Sequence, residues 1–197
     1  MKRELDAAGI AENTVWELVN SSNDPPQAVP IMVDWLQHFD ERIPETDDRE
    51  AWREGLLRNL ITHNAKGDRA AVEVLFAQFD RVPPATKWEQ QATAFALAEA
   101  AEPQDLPRVI GLLDSADTDI LAKATLTKWL GRFKTNEAIQ ATVRQLAHRT
   151  TAIAAMRALV RQRATGVRAD VAKYLDDEHE VFRKEAQKTL DKLPADS

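Results

Sequence analysis

The sequence contains no cysteine. That excludes a disulfide framework, a thiol nucleophile and any cysteine-ligated zinc or iron–sulfur centre. Glycine is scarce, six in 197 residues, and β-branched residues do not alternate over any long run, so the pattern of a sheet protein is missing. The four histidines, His38, His63, His148 and His179, stand apart. None has a partner at HxxxH or HExxH spacing, so no metal is expected. No GxSxG, P-loop or GxGxxG motif occurs, which removes the usual parts of serine catalysis and nucleotide binding. No window approaches the length of a membrane-spanning helix, and the amino terminus carries acids where a signal peptide needs an apolar core. The expectation is a soluble cytoplasmic protein, not an enzyme, with no cofactor and no membrane association.

What the chain does contain is amphipathic helix, and residues 167–193 show it most clearly. Val167, Val171, Tyr174 and Leu175 share one side of a first helix; Asp176, Asp177 and Glu178 break it; a second carries Val181, Phe182, Ala186, Leu190 and Leu193. Apolar residues at three- and four-residue spacing mark one buried face per helix, and neither helix can bury its face alone. The same unit recurs upstream with drift. Helices are predicted over 10–22, 27–39, 49–62, 69–79, 87–101, 103–113, 120–133, 137–148, 150–163 and then the pair already described, with 1–8 and 194–197 read as frayed ends. Pro25-Pro26 and Pro83-Pro84 separate helices, and Asp68, Thr86, Asn136 and Thr150 or Thr151 are candidate caps. The second helices share an anchor leucine, Leu60, Leu97, Leu130, Leu159 and Leu190, at intervals of 37, 33, 29 and 31 residues. Helix pairs at such a period are the sign of an α-solenoid.

Residues 167–193, and more loosely 106–133, resemble HEAT repeats, in particular the short bacterial kind grouped with phycobilisome-lyase-type repeats. The matching features are the aspartate closing each first helix, the Val181-Phe182-Arg183 start of the second, and the Ala186 and Leu190 packing pair. The resemblance implies a single all-α domain over residues 1–197. Its architecture would be a right-handed α-solenoid of about five HEAT-like helix pairs after an amino-terminal helix, second helices lining the concave face. It also implies a binding scaffold rather than a catalyst, which is a fold-level analogy.

The net charge of −6 is unevenly spread. Residues 1–119 hold 11 Lys/Arg against 23 Asp/Glu, and residues 120–197 hold 15 against 9. Positions two before and two after an anchor leucine lie roughly 200° around the helix from it, on the exposed side. In the last three second helices those positions are Lys128 and Arg132, Arg157 and Arg161, Lys188 and Lys192, all basic. Stacked helices would set them in a two-column ladder, suited to an acidic protein or peptide and equally to a phosphate backbone. The plain alternative is a solvated helix face, which is where charges ordinarily go. The first repeats interrupt the pattern, with Phe95 and Glu99 flanking Leu97.

Two further features read structurally first. The acids Glu41, Glu45, Asp47, Asp48, Glu50 and Glu54 crowd a helix start, where the helix dipole favours them. Trp52 and Trp88 open adjacent second helices and could present two indoles on one surface, although tryptophans of a repeat protein ordinarily fill its core. The leading expectation is an adaptor that binds an acidic protein or peptide through the basic ladder. The alternative is a nucleic-acid-binding HEAT-like protein related to alkylpurine DNA glycosylases, for which no catalytic aspartate aligns. A third is self-association of the acidic and basic halves.

Overall fold

A computed structural model describes residues 1–45, 48–82 and 84–195. Thr46, Asp47, Pro83, Asp196 and Ser197 lie outside the described residues. All regular structure among the described residues is helical. The protein is all-α, in two compact units, Met1–Glu102 and Pro103–Ser197.

The first unit holds α1 (Lys2–Ala7), α2 (Val15–Val19), α3 (Ala28–Gln37), α4 (Phe39–Arg42), α5 (Arg49–Asn59), α6 (Arg69–Phe79) and α7 (Lys87–Ala100). Contacts run α2 to α5 to α7 in one row and α3 to α6 in a second, with α3–α5 and α6–α7 joining the rows. Local chemistry fixes the starts. Asp68 accepts a hydrogen bond from the Ala71 amide, and Thr86 and Glu89 form a reciprocal capping box at α7.

The second unit repeats the scheme. It comprises α8 (Leu106–Asp114), α9 (Ile120–Leu130), α10 (Asn136–Arg144), α11 (Arg149–Gln162), α12 (Arg168–Ala172) and α13 (Glu180–Leu190). Here α9, α11 and α13 form one row and α8 packs on α10, with α8–α9, α10–α11 and α12–α13 as the pairs. The row is tight. A Cβ on Gly131, at the end of α9, would stand 3.1 Å from Ala158 Cα of α11, so glycine is what allows the two backbones to approach.

The anchor leucines sit where their periodicity puts them. Leu60, Leu97, Leu130 and Leu159 are wholly excluded from solvent, and Leu190 is partly buried against the core of the second unit. Each buried leucine contributes about 1.5–3 kcal/mol of transfer free energy, so this seam adds to what holds the five helices.

Several sequence expectations change. Residues 1–8 are not a frayed end: they form α1, Leu5 is fully buried, and the Glu4 carboxylate accepts from Trp35 Nε1 at 2.5 Å and Arg42 Nη1 at 2.8 Å. The helix expected over 10–22 shrinks to α2, because Thr14 takes an extended backbone and caps through the Glu17 amide. The expected loop at 40–48 begins with the helical turn α4. Thr135, not Asn136, caps α10, and the residue before α11 is His148. Thr151 cannot cap α11, since its hydroxyl donates to the Gln145 carbonyl at 2.5 Å. Val181, expected on the buried face, is 56% exposed.

Candidate functional site

The candidate surface is the outward side of α9, α11 and α13. On α11 the alanines, Met156 and Leu159 turn inward, leaving a stripe of Thr150, Arg157 and Arg161 in solvent. The equivalent stripe of α9 exposes Leu121, Lys128 and, just past the helix, Arg132. That of α13 exposes Val181, Lys184, Lys188 and, just past the helix, Lys192. All six residues singled out by spacing are therefore exposed, four on the helices and two just past the ends of α9 and α13, and α11 touches both neighbours.

Arg157 is paired with a carboxylate of the neighbouring helix. Its Nε and Nη2 donate to the two carboxylate oxygens of Glu185, on α13, at 2.8 and 2.9 Å. A forked arginine–carboxylate pair of this kind fixes direction as well as charge. It holds the Glu185 carboxyl below the usual range, with the charges of Lys188 and Lys192 adding to the effect. Glu185 thus brings three of the six bases, Arg157, Lys188 and Lys192, into one electrostatic neighbourhood. The surface is not purely basic: one acid sits among them. Lys128, Arg161, Lys188 and Lys192 make no side-chain hydrogen bond or ion pair within 4 Å among the described residues, and their charge faces water.

Glu185 escaped the sequence reading, although a signal for it was present. Arg157 and Glu185 are 28 residues apart, and Arg149 pairs in the same forked manner with Asp177, also 28 residues on, at 3.0 Å for both bonds. Arg144 and Asp114 repeat the arrangement at a separation of 30. Gln162 Nε2 donates to the Leu130 carbonyl across 32 residues at 3.0 Å, and the Tyr174 hydroxyl to the Leu146 carbonyl across 28. Arg168 donates to the Leu190 and Leu193 carbonyls at 2.7 and 3.1 Å, covering the carboxyl end of α13. The excess of basic residues over 120–169 therefore has two parts, a framework that clamps helices together and a surface set that does not.

Two exposed apolar side chains also went unforeseen. Leu121, 38% exposed, and Val181 stand at the amino-terminal ends of the stripes whose carboxyl-terminal ends are basic. A helix-period reading assigns every leucine and valine to the buried face, and so misses them. At the far end of α11, Arg163 adopts φ 52° and ψ 44° while its amide and that of Ala164 donate back to Val160 and Leu159. Glycine is the usual residue there, because a Cβ crowds the left-handed backbone.

The remaining candidates resolve structurally. Trp52 stacks on Trp35 with ring centroids 5.9 Å apart, Trp129 is buried, and Trp88 is exposed, so Trp52 and Trp88 do not form one pair of presented indoles. Of the acids near the start of α5, Glu50 lies in its first turn, Glu54 pairs with Arg58 at 2.8 Å and Glu45 with Arg49 at 3.0 Å; Asp47 lies outside the described residues. Among the described residues no three His, Asp or Glu side chains are grouped to hold a metal ion, and no helix is long and apolar enough to cross a membrane. No protein-family model matches the chain, and a search of curated proteins finds none similar to it.

Proposed function

We propose that this protein is a non-enzymatic helical-repeat scaffold of the cytoplasm, built from degenerate HEAT-like pairs, which binds an acidic protein segment through α9, α11 and α13. The observation that carries this reading is the exposure of all six bases along a row in which α11 packs against both α9 and α13, four of them with no carboxylate within 4 Å among the described residues. The recurrence of cross-helix bonds at separations of 28, 30 and 32 residues supports the repeat assignment, because equivalent positions of successive repeats are what such bonds join. On this reading the second helices line the concave side of the carboxyl-terminal repeats. Lys128, Arg132, Arg161, Lys188 and Lys192 attract the partner, while Arg157 is shared with Glu185. Leu121 and Val181 select a segment with apolar residues beside its acids, since a partner offering charge alone would leave them in water.

The test is the affinity of a labelled peptide rich in Glu and Leu, followed by fluorescence anisotropy. Arg161→Glu with Lys188→Glu is expected to weaken binding by about tenfold or more, as like charges replace attractive ones, with the helical circular dichroism unchanged. Equal affinity of the variant and the parent overturns the reading. Tighter binding to duplex DNA than to the peptide, with affinity falling steeply in salt, transfers the surface to the nucleic-acid class.

A further inference from the structure

The first unit contains a cleft of about 740 Å³ between α4, the start of α5, the end of α6 and the start of α7. Its floor holds an under-partnered cation. Arg53 is only 6% exposed, and its guanidinium lies over the Phe39 ring, 3.6 Å from the centroid. Among the described residues it makes one hydrogen bond, from Nη1 to Gln78 Oε1 at 3.2 Å. The nearest carboxylate oxygens stand at 3.5 Å (Glu89, from Nε) and 3.7 Å (Asp40, from Nη2), in range for charge attraction but long for hydrogen bonds. Both are already engaged. Glu89, itself buried, accepts from Arg81 Nη1 at 3.0 Å and from the Thr86 amide at 2.7 Å, and Asp40 pairs with Arg49. Burial, and next the charge of Arg81, pull the Arg53 guanidinium down to about 10. A guanidinium carries five N–H donors, and burying it with most of them idle is costly.

We propose that this cleft binds a small organic monocarboxylate, its carboxylate accepting from Arg53 and Arg81 and its apolar body lying along Leu36, Ile43 and Pro44. Three arginines, Arg49, Arg53 and Arg81, line the cleft against four acids, but of the acids only Glu89 is buried among them, so the positive charge is concentrated in the interior. The rim carries Asp40, Glu45 and Glu50, all exposed, and these acids repel a doubly charged phosphate more than a single carboxylate. The volume lies within the range of small-molecule sites, and the lining is more polar than apolar, which suits a charged ligand with a short apolar body.

Calorimetric titration of the full chain tests this with 3-phenylpropanoate as the probe and phenyl phosphate as the comparison. Saturable binding of 3-phenylpropanoate is expected, weaker by about tenfold or more in Arg81→Gln and unchanged in Lys134→Gln, an exposed base of the second unit outside both surfaces. Arg81 is chosen because replacing the deeper Arg53 is the change more apt to unfold the unit. Absence of saturation at about 10 mM, a millimolar ceiling for specific affinity, overturns the proposal. So does an affinity that Arg81→Gln leaves unaltered, or tighter binding of phenyl phosphate.

Discussion

Glu185 and Arg157 set opposing demands on the same few atoms. The carboxylate clamps α13 to α11 and at the same time cancels charge that an acidic partner would use. Its pKa lies below the ordinary 4.5 because it accepts from Arg157. A carboxyl lowered on folding adds stability that is present above its unfolded pKa and is lost as pH falls through the folded value. Glu185→Gln is therefore expected to melt at lower temperature than the parent at pH 7, with the gap narrowing as pH falls below the unfolded value and through the lowered folded one. In the peptide assay the same substitution is expected to tighten binding, since it removes the acid and frees Arg157; looser binding would contradict that role. A second residue tests the backbone. Arg163 holds a left-handed conformation that costs a residue with a Cβ about 1 kcal/mol, so Arg163→Gly should raise stability by that order in chemical denaturation. A loss instead would mean that the arginine side chain makes a contribution larger than its strain.

Helices were legible where apolar spacing and capping chemistry agreed. The anchor leucines Leu60, Leu97, Leu130 and Leu159 were found from sequence and are among the fully buried residues of α5 or its cap, α7, α9 and α11. The limits of α6 matched because Asp68 is a strong cap and no neighbour competes for it. Boundaries failed where tertiary contacts recruited the capping group, as when Thr151 turned to the Gln145 carbonyl and left His148 to start α11. The ladder positions were legible because a position 200° from a buried leucine on an α-helix has little choice but solvent. Glu185, Leu121 and Val181 were not, since each depends on what the neighbouring helix presents. Seam and spacing give separate expectations. Leu159→Ala should cost about 2–5 kcal/mol in urea denaturation, as a fully buried leucine leaves a cavity. Gly131→Val should cost about 1–3 kcal/mol by overpacking, because its Cβ would already stand 3.1 Å from Ala158 Cα. A neutral Gly131→Val would show that α9 and α11 are not held so closely.

Over the full chain the charges divide along the two compact units. Residues 1–102 hold 10 Lys/Arg against 19 Asp/Glu, a net −9, and residues 103–197 hold 16 against 13, a net +3. The positive unit carries the candidate ladder, and the negative unit the cleft whose floor is locally cationic. Attraction of an acidic segment to the exposed bases should weaken as salt rises, because surface charges are screened within about 10 Å at 0.1 M. The most direct measurement is a residue-resolved NMR titration of the full chain with the Glu- and Leu-rich peptide. Shifts concentrated at Lys128, Arg161, Lys188 and Lys192, spreading to Leu121 and Val181, are the predicted result. Shifts confined to other helices, or scattered evenly over both units, would contradict an acidic-segment site on α9, α11 and α13.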